Sequence, residues 1–355
     1  MRILISGICG FVGSTLARAL REQDGDLHIS GFDNFARPGS ETNRVALRRL
    51  GIVVTHGDVR CAADVDALAP ADVVLDAAAN PSVLAGVDGL ASSRQVVEHN
   101  LIGTVNLLEY CRRHRAAFTL LSTSRVYSVE PLASLPVVER DSAYAPDDAA
   151  SLPLGLSVAG VSEGFSTTPP TSLYGSTKLG SEQLALEYGS TFGFPVWINR
   201  CGVLAGAGQF GRSDQGIFSF WINSWLRRKP LKYIGFGGQG FQTRDCLQPR
   251  DLVPLLRKQW EDSDSSRPRL VNVSGGTTNS ISLAQLSRWC EGRFGAREVG
   301  ADPTPRAFDL PWMVLDSSLA RKTWTWTVET TLSSILEEIA RHAEANESWL
   351  EISQP

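Results

Sequence analysis

The chain predicts an α/β architecture, a parallel sheet wound on both faces by helices. Three observations carry this expectation. Short apolar runs recur at 2–6, 27–32, 51–57, 72–76, 118–122, 195–199 and 270–274, with helical patterns between most of them, the alternation of a sheet covered on both sides. The first run passes directly into Gly7-Ile-Cys-Gly10-Phe-Val-Gly13 and then a helical pattern, a strand–glycine turn–helix order. At 355 residues, with 43% apolar and 20% charged residues, the chain suits one large α/β unit or two modest domains.

Composition excludes several classes. Net charge is -4 and no Lys/Arg block exceeds a few residues, so no nucleic-acid partner is expected; Arg112-Arg113-His114-Arg115 reads as the wet end of a helix. The start enters a strand at once without signal-peptide anatomy, and no apolar run reaches spanning length, which predicts a cytoplasmic protein with no membrane partner. Cys9, Cys61, Cys111, Cys201, Cys246 and Cys290 are scattered, with no C-x-x-C pair and no histidine cluster. They read as reduced thiols, neither a metal site nor a disulfide framework.

In order, Gly7 makes the tight turn, Gly10 lets a pyrophosphate approach the backbone, and Gly13 lets helix and strand pack closely. Free N–H groups around Phe11 and Val12 then face phosphates. The second run ends in Asp33, twenty residues after Gly13. A carboxylate there binds adenosine ribose hydroxyls and repels a 2′-phosphate, favouring NAD over NADP. Asp58-Val59 follows the third run, where ligands bind in doubly wound sheets. The fourth opens into Ala77-Ala78-Ala79-Asn80-Pro81-Ser82, and a helix around 98–109 crosses to the fifth, which ends in Ser122-Thr123-Ser124-Arg125-Val126-Tyr127. Residues 128–173 form a long link rich in Ser, Pro, Ala and Asp, either part of a pocket cover or a surface loop. Residues 333–345 read as a terminal amphipathic helix, and no internal repeat is visible.

Tyr174 and Lys178 lie one helical turn apart on one face. A free phenol titrates near pH ~10, too high for a base at neutral pH, and a neighbouring ammonium is expected to bring it down. A tyrosine tuned in this way takes the proton of a sugar hydroxyl while a cofactor takes the hydride.

The order of motifs resembles the extended short-chain dehydrogenase/reductase family of nucleotide-sugar epimerases and dehydratases, over nearly the whole chain. The matching pieces are the 7–13 turn, Asp58-Val59, Ala77-Ala78-Ala79, Asn100-x-x-Gly103-Thr104, the 122–127 segment and Tyr174/Lys178. Further on come Gly240-x-x-x-Arg244-Asp245, Asn272-x-x-Gly275-Gly276 and Arg306-x-x-Asp309. The resemblance implies a Rossmann-type domain over 1–203 and 246–275 and a nucleotide-sugar domain over 204–245 and 276–355. It implies Tyr174 as general base/acid, Lys178 as its tuner and ribose ligand, and Thr123 as the catalytic hydroxyl. NAD would be held by Gly7, Gly10, Phe11, Val12, Gly13, Asp33, Asn34, Arg37, Asp58, Val59, Ala77, Ala78, Ala79, Asn100 (also a brace under the active site) and Ser122. The sugar nucleotide would meet Pro81, Ser82, Ser124, Arg125, Cys201, Gln209, Gln215, Arg244, Arg306 and Asp309, with arginine forks on its diphosphate.

Departures narrow the branch. Thr123-Ser124-Arg125 stands where 4,6-dehydratases carry Thr-Asp-Glu, so the acid and base that elimination needs are missing. Val203 stands where 4-epimerases usually have asparagine. Asp33-Asn34-Phe-Ala-Arg37-Pro-Gly39…Asn43, Asn80-Pro81-Ser82-Val83, Ser172-Leu173-Tyr174-Gly175 and Gln209-Phe-Gly-Arg-Ser-Asp214-Gln215-Gly216 are most similar to the CDP-paratose 2-epimerase branch. Val203-Leu-Ala-Gly-Ala-Gly departs from it, since a tyrosine and a Gly-Pro pair are usual there, and Phe218 stands where tryptophan is common. The expectation is an NAD-dependent epimerase of a CDP- or UDP-hexose, working by transient oxidation and hydride return, in a homo-oligomer. A reductase or dehydrogenase that exchanges NAD(H), a 4-epimerase and a non-catalytic dinucleotide sensor are the alternatives.

Overall fold

The computed structural model describes residues 1–353 apart from 88, 90, 91, 213 and 214; the 209–216 segment singled out above is thus described except for its 213 and 214. Seven strands build the main sheet: β1 (Arg2–Ser6), β2 (His28–Asp33), β3 (Val53–His56), β4 (Val73–Asp76), β5 (Ala117–Thr123), β6 (Val196–Cys201) and β7 (Leu270–Val273). Their order is β7-β6-β5-β4-β1-β2-β3 and every pairing is parallel. Alternation within strands decides the two faces. Ile3, Ile5, Val73, Leu75 and Trp197 point into one buried layer, and Leu4, Val74, Phe118, Leu120 and Ile198 into the other.

Helix α1 (Phe11–Gln23) follows the glycine turn and packs its Leu16, Ala17 and Leu20 stripe on the first layer. The crossover between β4 and β5 contains a π turn, Glu98–Ile102, which leads without a break into α2 (Gly103–His114). The wider π coil leaves the Asn100 carbonyl facing the Thr104 and Ser181 hydroxyls, which donate to it at 2.8 and 2.9 Å. The long α3 (Leu173–Phe192) starts at Ser172, whose hydroxyl accepts from the Gly175 N–H at 3.1 Å, and stops at Gly193 with φ 72°.

A second core gathers α4 (Ile217–Leu226), the helix Leu283–Phe294 and α5 (Leu332–Ala345) around Trp221, Trp225, Leu286, Ile335 and Ile339. Small sheets at 232–234/300–302 and 243–245/280–282/312–313 stiffen it. A last short helix, α6 (Trp349–Ile352), folds back on α4. None of the described helices is long and apolar enough to cross a membrane. All six cysteines are free.

The 128–173 link, whose last residue Leu173 opens α3, is neither cover nor loose decoration: it is a strap. Val137–Arg140 and Ala143–Pro146 form an antiparallel hairpin tied to the second region by Tyr144 N–H to the Phe241 carbonyl at 2.9 Å and Thr243 Oγ1 to the Tyr144 carbonyl at 2.7 Å. Farther along, Val161 bonds the 314–316 backbone, and its carbonyl accepts from Asn272 Nδ2 at the end of the main sheet at 2.9 Å. The strap therefore fastens the two regions together, and none of its residues is among the described lining of the central cavity.

Candidate functional site

The strand ends of the sheet form one wall of the site. Gly7 has φ +62°, and a Cβ on it would come within 2.9 Å of Ala78 Cα; a Cβ on Gly13 would meet the Gly7 carbonyl at 2.3 Å. These two positions admit only glycine because the β1–α1 turn, the β4 end and the helix touch backbone to backbone. Gly10 caps α1 without a side-chain hydrogen bond, so the first N–H groups of a 13-residue helix point at whatever anion lies there. Asp33, at the end of β2, accepts from Cys9 N–H at 3.0 Å and Phe35 N–H at 2.8 Å. Burial pushes its carboxyl above the ordinary value, opposed by those backbone N–H groups and by Gly10. Asn34 donates to Asp58 at 3.0 Å, and Arg60 holds Asp58 well below the usual carboxylate range. Val59 packs under Gly103.

Beneath the turn after β4, Asp76 accepts from Ser6 Oγ at 2.6 Å and Thr104 Oγ1 at 3.2 Å, and Ser6 Oγ accepts from the N–H groups of Ala77 and Ala78 at 3.1 Å each. Asn100 grips the next turn, its Oδ1 accepting from Asn80 N–H at 2.8 Å and its Nδ2 donating to the Asn80 carbonyl at 3.1 Å and to Thr177 Oγ1 at 3.2 Å. The cofactor-side residue Ser122 donates to Glu182, so its hydroxyl is committed inward. Ser82 accepts from Leu84 N–H within its own turn at 3.2 Å and lies outside the cavity lining, unlike Pro81.

Tyr174 is buried, and Thr123 lines the same cavity wall. Burial pushes the phenol up to about 12, while Thr123 and the Arg125 cation pull it back. Arg125 is the cation that lowers the phenol. Lys178, 1% exposed, is lowered by burial, while Asp76, Glu182 and Cys201 raise it.

Tyr174, Thr123, Ser122, Ser124, Arg125 and Cys201 share a cavity of about 720 Å³ with Gly10, Phe11, Val12, Arg37, Ala77, Ala79, Pro81, Gln209, Gln215, Arg244, Arg306 and Asp309. Residues from both ends of the sequence thus meet in one enclosure, whereas Asp33, Asn34, Asp58, Val59, Asn100 and Lys178 support it from outside its lining. Arg244 pairs with Asp309 at 3.0 Å. Arg125 is lowered to about 10 by burial and by Arg244, and donates to the Phe308 carbonyl at 3.2 Å. Among the described lining residues five are cationic, Arg37, Arg125, Lys232, Arg244 and Arg306, against one carboxylate, Asp309, which suits a polyanionic ligand. Lys232 and Gln242 carry no motif and escape sequence reasoning, as do the apolar walls Phe218, Phe220, Trp221 and Leu231. Among the described residues no group of three or more His, Cys, Asp or Glu side chains is placed to hold a metal.

Residues 3–274 match the model of the NAD dependent epimerase/dehydratase family. The chain is 29% identical over 304 residues, 82% of this chain and 84% of the other, to the CDP-paratose 2-epimerase of Salmonella typhi. It is 24% identical to UDP-glucuronate 4-epimerase 4 of Arabidopsis thaliana over 96% of this chain and 74% of that one. Among solved structures it is similar to a variant UDP-glucuronic acid 4-epimerase of Bacillus cereus in complex with a fluorinated UDP-glucuronic acid and NAD, with a TM-score of 0.77 and 25% identity over 97% of this chain and 99% of that one. The glycine cradle of Gly7 and Gly13 and the carboxylate of Asp33 at the end of β2 fit NAD. The chain is thus a member of the NAD-dependent epimerase/dehydratase family, an enzyme of the extended short-chain dehydrogenase/reductase type whose cofactor is NAD.

Proposed function

We propose that this enzyme epimerises a nucleotide-linked hexose. The observation that supports the reading is one cavity lined by the Tyr174 and Thr123 hydroxyls together with Arg125, Arg244 and Arg306. Bound NAD supplies hydride acceptance and return. Tyr174 takes the proton of the sugar hydroxyl that becomes a carbonyl, and gives it back when the alcohol re-forms. Thr123 shares that hydrogen bond and fixes the line of approach. Lys178 faces the cofactor ribose from beneath, and Asp76 and Glu182 keep it charged. Arg244 and Arg306 hold the diphosphate, so the sugar turns over while the remote anchor stays in place. Asp309 is the one lining carboxylate among the described residues and Arg244 occupies it, which disfavours a dehydratase.

The finer reading is a CDP-linked hexose inverted at its 2-position, supported by the loop motifs and the Salmonella typhi relative. Inversion at the 4-position of a UDP-linked sugar acid is the second reading, favoured by the Bacillus cereus neighbour. Proton NMR of the purified enzyme with CDP-, UDP- and GDP-hexoses and no added cofactor separates them. A new epimer signal with flat absorbance of reduced NAD is expected. Absorbance change that requires added NAD(H) identifies a dehydrogenase instead. Unchanged turnover in Tyr174→Phe refutes the assignment of the base.

A further inference from the structure

Arg37 lies in the turn after β2, and its side chain reaches the loop that enters α4. Its guanidinium donates to Gln215 Oε1 at 3.0 Å and to the Phe210 carbonyl at 2.9 Å. Two residues on, Gly39 has φ +90°, and a Cβ on it would lie 2.8 Å from both Phe210 Cε1 and Ile352 Cγ2, so the turn after β2 is pressed against the same loop. From the opposite side Trp349 stacks on Phe210 with centroids 5.3 Å apart and donates Nε1–H to the Gln209 carbonyl at 2.9 Å. The loop is gripped from two regions at once. It also walls the cavity that Gly10, Phe11 and Val12 line at the phosphate turn.

We propose that the Arg37–Gln215 contact is a latch that keeps the dinucleotide in the enzyme between turnovers. A cofactor that returns its hydride to the same sugar has to outstay each substrate, and a contact made across two regions closes the enclosure without touching the reacting carbon. The hydrogen bond is charge-assisted on the arginine side, which makes it a strong one, and the Phe210 carbonyl bond and Gly39 packing keep its geometry fixed when the glutamine is changed. The latch rests on the reading of NAD as a retained catalyst. Its test follows cofactor release rather than turnover, so its failure leaves the epimerase reading standing.

The experiment loads the full-length enzyme with radiolabelled NAD, chases with excess unlabelled NAD and follows bound label on filters. Arg37→Met and Gln215→Ala are each expected to raise the release rate about tenfold, the double variant to add little to either, and Gln215→Glu to slow release. Thermal unfolding of each variant without NAD establishes that it is folded. Release from Gln215→Ala at the wild-type rate overturns the latch, leaving any effect of Arg37→Met as a direct contact with the cofactor. Multiplicative effects in the double variant overturn it as well.

Discussion

The Glu182 carboxylate meets the Arg200 guanidinium at 2.7 Å with side chains only 2% and 6% exposed, and the same carboxylate accepts from Ser122. Glu182 lies on α3, one turn beyond Lys178, and Arg200 lies on β6, so the pair clamps α3 to the strand that ends in Cys201. The guanidinium carbon lies over the Tyr127 ring, 5.0 Å from its centroid. Glu182→Ala leaves this arginine buried without a counter-charge and is expected to cost about 3–5 kcal/mol. Urea denaturation measures it, and Glu182→Ala/Arg200→Met should recover most of the loss. A cost below about 1 kcal/mol shows that the pair is not a clamp.

Arg125 sets a second expectation, in pH. A cation beside Tyr174 favours the phenolate, so removing it raises the tyrosine's pKa. In Arg125→Met the rise of kcat with pH is expected to move to higher pH, with a loss of rate at neutral pH that shrinks as the solution is made alkaline. A rate–pH profile unchanged in shape assigns Arg125 to substrate binding alone.

Gly13→Ala introduces a methyl group where the backbone leaves no room, 2.3 Å from the Gly7 carbonyl. Neither atom belongs to a side chain that can rotate away, so the turn itself must open. The expected result is about 1–3 kcal/mol of destabilisation together with loss of bound NAD. Thermal unfolding and NAD content after gel filtration report the two effects.

Asn100→Ala removes the bonds that join the turn after β4 to α3. About 1–3 kcal/mol is expected from the groups left unpaired. Hydrogen exchange should rise at the amide of Asn80, whose acceptor is lost, more than in the β1–β2 ladder. Uniform change across the sheet contradicts a local brace.

Most of the frame was legible because local rules agree with the global outcome. The strand runs, the Gly7–Gly13 turn and the helix pairing Tyr174 with Lys178 each follow from near neighbours in sequence. The strap was not legible: its strands are two to four residues long, and their partners at 241–243 and 314–316 are set by tertiary packing rather than by a pattern. Arg125 beside Tyr174 was not legible as a cation acting on the phenol for a related reason: helical spacing places Lys178 on the face of Tyr174 but says nothing of a residue 49 positions earlier at the end of another strand. Arg37 and Gln215, 178 positions apart, carry no sequence signal of contact.

The π turn at Glu98–Ile102 has a consequence for the length of the chain. It winds one residue more than an α-helical turn requires, and the wider coil absorbs that residue without turning α2. Deleting one of the five other than Asn100 lets a plain α-helical turn take its place, so Leu107, Leu108 and Cys111, now wholly buried, stay on their layer. What is lost is local, the Asn100 carbonyl that accepts from Thr104 and Ser181. The same one-codon deletion inside α2 has no such slack and turns every later residue of the helix by about 100°.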